Sequence, residues 1–203
     1  LKNPTKVLVL GIDAANPLLL QQWAEDGTLP AIRSLMARGR VGKIRGVEGF
    51  FVGSTWPSFY TGLSPARHGF HYLFQLKPGT YDFYRPAEEG IGDGVPIWRH
   101  LSQAGQRVAI LDVPLSCIDS SINGIQVVEW GGHDSVYGFK TWPAPLAETI
   151  RSRFGLHPLG PSCDGVRQTP VDYQAFTNQL VQGVRTKTEL TRHFLREGNW
   201  DFF

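Results

Sequence analysis

Cysteine is nearly missing from this chain: Cys117 and Cys163 are the only two. They show neither CxxC spacing nor the density of a disulfide framework, so cysteine usage points to no redox compartment and no thiolate metal site. Charge of one sign is equally scarce. A formal net charge of +2 with no Lys/Arg-rich run gives no footprint for a nucleic-acid polymer. No apolar run is long enough to span a membrane. Signal-peptide patterning, internal repeats and low-complexity tracts are also missing, which leaves the compartment open and favours the cytoplasm. Gly11-Ile12-Asp13-Ala14-Ala15-Asn16 lacks the glycines of a dinucleotide fingerprint, which sets an oxidoreductase reading aside.

What is present is ordinary globular chemistry with a large aromatic component. Hydrophobic residues make up 41% of 203 and charged residues 19%, with 6 tryptophans and 12 phenylalanines. That is enough chain for a substantial core in one domain. Strand-like and helix-like segments alternate, which predicts an α/β fold with a mostly parallel central sheet and helices on both faces.

Lys6 to Asp13 reads as a fully buried strand ending in an acid. Helices are expected after Asn16-Pro17 and after Pro30, the second stopping at Gly39. Val41 to Val47 alternates and reads as a second strand. An irregular insertion is expected at about 70–95. Ile97 to Gly105 reads as a helix, Arg107 to Asp112 and Ile125 to Trp130 as strands, and Leu146 to Phe154 as a helix. Asp172 to Glu197 reads as a long helix interrupted around Gly183. Asn199 to Phe203 looks like the turn and first residues of another buried strand, so residues 1–203 are expected to be one α/β domain continuing past Phe203.

Two features carry chemistry. In open α/β sheets ligands collect outside the carboxyl ends of the strands, which places Asp13 at the ligand edge. Its alternative role is to cap the following turn. Ser54-Thr55-Trp56-Pro57-Ser58 sets hydroxyls just before a proline that suits a first helical turn, where unpaired N–H groups favour an oxyanion. The alternative there is a plain N-cap.

Three segments resemble one family when taken in order: Val9 to Asp13, Gly27 to Gly39, and Trp56 to Gly69 with its Thr-Gly-x-x-Pro-x-x-His-Gly ending. The family is the type I phosphodiesterase/nucleotide pyrophosphatase branch of the alkaline phosphatase superfamily. The resemblance implies an alkaline-phosphatase-like fold and a metal-dependent hydrolase of phosphate esters acting on a small phosphorylated or nucleotide-like substrate. It implies two divalent cations, commonly zinc, around a Thr or Ser nucleophile. Asp13 matches the first metal-ligating aspartate. Thr55 is the best match to the nucleophile and a metal ligand, with Ser54 as the fallback, although its spacing to Thr61 is about one helical turn shorter than the family's usual one. The family's remaining ligands follow a strand resembling Trp200 to Phe203.

Other readings stay open beside it. A catalytically impaired relative would keep the fold and bind an anionic ligand or partner, and a sulfatase- or phosphonate-hydrolase-like activity would use the same kind of site. Ser54, Ser58, His133 and Asp134 are candidate substrate-binding groups, the last two because loops at sheet edges carry function disproportionately. His68 reads as part of the fold, Asp112 as a carboxylate held by loop N–H groups, and His157 and Asp164 as solvent-facing loop residues.

Overall fold

A computed structural model describes residues 5–46, 53–85, 94–131, 135–160 and 165–203. His133, Asp134 and Asp164 lie outside the described residues. The chain divides into two compact units, Leu10–Gly46 and the remainder.

The Leu10–Gly46 unit is two helices, α1 (Pro17–Glu25) and α2 (Pro30–Arg38). Both open on the expected proline, and Asn16 caps α1 by accepting the Leu18 and Leu19 amides at 2.9 and 3.3 Å. The strand expected at Val41 to Val47 does not form among residues 41–46, which are exposed and carry no ladder. Alternation alone cannot make a strand without a neighbouring edge to pair with.

The first helices of the larger unit are α3 (Thr55–Thr61) and α4 (Pro65–His68), followed by a small antiparallel hairpin, β1 (Gln75–Leu76) with β2 (Phe83–Tyr84). The hairpin falls inside the expected insertion. There follow α5 (Ile97–Gln103), β3 (Val108–Leu111), β4 (Gly124–Val128), β5 (Lys140–Trp142), α6 (Leu146–Phe154) and α7 (Pro170–Glu197). The three-stranded sheet is mixed: β3 pairs with β4 in parallel and β4 with β5 antiparallel.

The long buried strand expected at Lys6 to Asp13 is not formed as such. Val7 bridges Phe202 in parallel, and Phe202 bridges Val108 in parallel on its other side. Hydrogen bonds from Val7 N to Asp201 O and Val9 N to Phe203 O extend that pairing by one step. Leu8 within it and Leu10 and Ile12 beyond it are 60, 71 and 53% exposed. An apolar run is buried only where neighbours cover it, and these side chains lack that cover among the described residues.

Strand alternation sends side chains to two cores. Val108 and Ile110 pack with Tyr60 of α3, Trp98 of α5 and Ile122. Val127 and Trp130 pack with Ile150 of α6 and Leu190 and Phe194 of α7. Phe202 joins the first cluster and Phe203 the second. Gly124 has no alternative here, because a Cβ on it would stand 1.8 Å from the Val108 carbonyl oxygen.

Helix α7 is continuous through all 28 residues, so the interruption expected at Gly183 is absent. A single glycine lowers helix propensity by about 1 kcal/mol and does not end a helix of this length. Gly183 has a packing reason: the His157 ring occupies the space a side chain there would need. A capping box of Thr169 and Asp172 starts the helix.

Candidate functional site

Asp13 forms a turn with Ala14, whose φ is +52°, and is exposed. The capping of α1 falls to Asn16, three residues on.

Gly53 precedes the hydroxyl pair at φ +97°, and a Cβ there would stand 3.0 Å from the backbone of Tyr72 and Leu73. Only glycine meets both conditions without strain. The turn buries Ser54, 3% exposed, and delivers Thr55 to the surface as the first residue of α3. Ser54 makes no side-chain capping bond, so the plain N-cap reading does not hold for it.

Ser58 stands one turn along α3, its Oγ 2.8 Å from Nε2 of His68. His68 is completely buried, and its Nδ1 accepts the Phe70 amide at 3.1 Å. An acceptor at Nδ1 in a neutral ring places the proton on Nε2, so the imidazole donates to Ser58. Burial first, then His71, holds His68 below the ordinary imidazole value, opposed by its own backbone hydrogen bond. His68 is therefore a neutral strut in the Thr-Gly…His-Gly element. Thr61 has a similar part: its hydroxyl donates to the Pro57 carbonyl at 2.6 Å and accepts the Leu63 amide at 3.2 Å.

A second cluster forms at the carboxyl ends of β3 and β4. Asp112 sits at φ +51°; its Oδ1 accepts Trp130 N at 2.8 Å and its Oδ2 accepts Gly131 N at 3.0 Å. Lys187 of α7 places its ammonium 2.8 Å from the same Oδ2. The expected loop N–H partners are present, and the lysine is an addition that sequence order gave no reason to expect. Glu129, at φ +53°, accepts the Ser135 hydroxyl at 2.6 Å and the amides of Val136, Tyr137 and Gly138. The sequence pattern places it inside a strand running to Trp130; β4 in fact ends at Val128, and Glu129 gathers the following loop.

His157 is not the solvent-facing loop residue expected. Its ring meets Trp130 edge-on, centroids 5.3 Å apart, and fills the space left by Gly131 and Gly183. The signal available in the sequence was Gly183 itself, a glycine inside an otherwise regular helical pattern.

Among the described residues no three His, Cys, Asp or Glu side chains come together as a metal-holding group. No helix among them is long and apolar enough to cross a membrane. The family model described as type I phosphodiesterase / nucleotide pyrophosphatase matches residues 7–198. No curated protein and no solved structure gives a significant match.

Proposed function

The chain belongs to the type I phosphodiesterase/nucleotide pyrophosphatase family, and from that premise we propose that it serves a hydrolase of small phosphorylated or nucleotide-like esters in which Thr55 is the nucleophile. The observation that carries the choice is the turn at Gly53: it leaves Thr55 exposed at the mouth of α3 while Ser54 is 3% exposed. A hydroxyl must reach phosphorus to attack it, so exposure favours Thr55 over its neighbour.

In this reading the Thr55 hydroxyl gives up its proton as its oxygen bonds to phosphorus, the departing ester oxygen takes a proton, and water then attacks the phosphorus, returning a proton to the Thr55 oxygen as the phosphate product leaves. The cofactor that the family implies is a pair of divalent cations, commonly zinc. The family resemblance offers Asp13 and Thr55 as ligands, one from each unit, and two oxygen ligands are short of the usual coordination. The described residues do not fit the pair by themselves, and the chemistry assigned to this chain rests on Thr55. The proposed fold is a mostly parallel, alkaline-phosphatase-like sheet, which the parallel β3–β4 pairing and the parallel bridges of Phe202 to Val7 and Val108 support.

The test is hydrolysis of bis-p-nitrophenyl phosphate by the full-length protein, with and without chelator. Thr55→Ala is expected to lower kcat by roughly a thousandfold or more, Thr55→Ser to keep measurable turnover, and Ser54→Ala to retain far more activity than Thr55→Ala. Full activity in Thr55→Ala would remove it as nucleophile. Activity untouched by metal stripping would remove the cation pair.

A further inference from the structure

Four segments of the larger unit meet around one imidazole. His157, between α6 and α7, lies where side chains on two glycines would have to stand. A Cβ on Gly131 would come within 2.9 Å of its Cδ2, and one on Gly183 within 2.4 Å of its Nε2. The turn after β4 and the middle of α7 therefore both leave the ring its volume. Nδ1 accepts the Leu159 amide at 3.4 Å, which places the proton of the neutral ring on Nε2.

Two charged groups act on the ring: Lys187 from α7 and Asp112 from the end of β3, themselves 2.8 Å apart. From the turn after β4 it meets the Trp130 ring and Gly131, and from its own segment the Leu159 amide. Asp112 is already committed on both oxygens, to Trp130 N, Gly131 N and Lys187.

We propose that His157 is an acid-operated latch between α7 and the carboxyl edge of β3 and β4. A proton added at Nδ1 turns that acceptor into a donor facing the Leu159 N–H, and sets a second cation near Lys187 in a slot walled by Gly131 and Gly183. The groups released are the turn at Trp130–Gly131 and the facing part of α7, so acid opens this edge of the sheet. The latch does not depend on the nucleophile assignment, because none of its groups is Thr55 or Asp13.

Burial first, then Lys187, holds the imidazole below its usual value, with Asp112 pulling the other way. The folded protein thus prefers the neutral ring. The latch contributes fully above the unfolded imidazole value of about 6.5 and is lost as pH falls from there through the folded value.

The experiment is a proton NMR titration of the His157 ring in the full-length protein, with His157→Gln for assignment, joined to amide exchange at Gly131 and Lys187. The ring is expected to titrate below about 6.5. Exchange protection at the two amides, corrected for intrinsic rate, is expected to fall by at most about tenfold between roughly pH 7.5 and 5.5, and to stay level in His157→Gln. A titration at or above the free value overturns the latch, as does an equal acid loss of protection in the variant. If His157→Gln does not fold, the wild-type titration decides alone, through the assignment of the remaining imidazoles.

Discussion

Ser58 and His68 are joined by a 2.8 Å hydrogen bond in which the imidazole donates and the hydroxyl accepts. The direction follows from the Phe70 amide, which occupies the other ring nitrogen. This imidazole cannot take a proton from Ser58 without first giving up its own, so the bond ties α3 to α4 and does not activate a nucleophile. Ser58→Ala strands the Nε2–H inside the protein, at an expected cost of about 1–3 kcal/mol. A urea titration reads it as a lower midpoint at unchanged slope; an unchanged midpoint would mean the bond contributes nothing.

His68 also has a pH signature. Its folded-state pKa is held below the usual 6.5 by burial and by His71. The folded form binds its proton less readily than the unfolded chain, so this contribution is present above about 6.5 and shrinks as pH falls through the folded value. Stability of His68→Gln is expected to fall less steeply than wild type between roughly pH 7 and 5. Parallel curves from denaturant melts would rule this out.

Gly53→Ala forces a side chain onto a residue at φ +97° and against the Tyr72–Leu73 backbone 3.0 Å away. Backbone cannot swing aside as a flexible side chain can. The expected loss is about 1–3 kcal/mol in thermal or denaturant unfolding. Hydrolysis is expected to drop beyond the loss of folded molecules, since Thr55 is aimed by this turn. Activity that simply tracks the folded fraction would separate Thr55 from the turn.

Gly183→Ala reverses the usual helix rule. In an open helical position the change would stabilise by about 1 kcal/mol. Here the new methyl would stand 2.4 Å from His157 Nε2, so destabilisation is expected. The double variant Gly183→Ala/His157→Ala should recover part of that loss relative to Gly183→Ala combined additively with His157→Ala. Strict additivity in the cycle would show that the two residues do not meet.

Asp112→Asn removes the partner of Lys187 and weakens the hold on Trp130 N and Gly131 N. The carboxylate is 4% exposed and the lysine 41%, so the value of the pair is reduced by solvent on one side. A loss of about 2 kcal/mol is expected in denaturant unfolding at low salt. Retention of wild-type stability would demote the pair to a surface contact.

The helices were legible in the chain because their signals are local. Pro17, Pro30 and Gly39 bracket α1 and α2 as expected, and Leu146–Phe154 emerged with the expected bounds. Strands β3 and β4 were legible from their apolar runs, with ends shifted by one or two residues. β5 was missed: Lys140–Trp142 is three residues long and exists through its pairing with β4. The strand expected at Lys6–Asp13 is paired only at Val7 and Val9, and that expected at Val41–Val47 does not form among residues 41–46, for the complementary reason: a strand is completed by a partner that pattern cannot supply.

The chemistry divides along the same line. Order along the chain was enough to establish the family and to single out Asp13, Ser54 and Thr55, because residue type and spacing are written in one dimension. The opposite fates of Ser54 and Thr55, one buried and one exposed, follow from the Gly53 turn packing on residues 72–73. The meeting of Asp112, His157, Gly183 and Lys187 depends on α7 folding back across the ends of β3 and β4. Such contacts join positions up to 75 residues apart, Asp112 to Lys187, and burial and charge pairing at that range arise only once the chain has closed on itself.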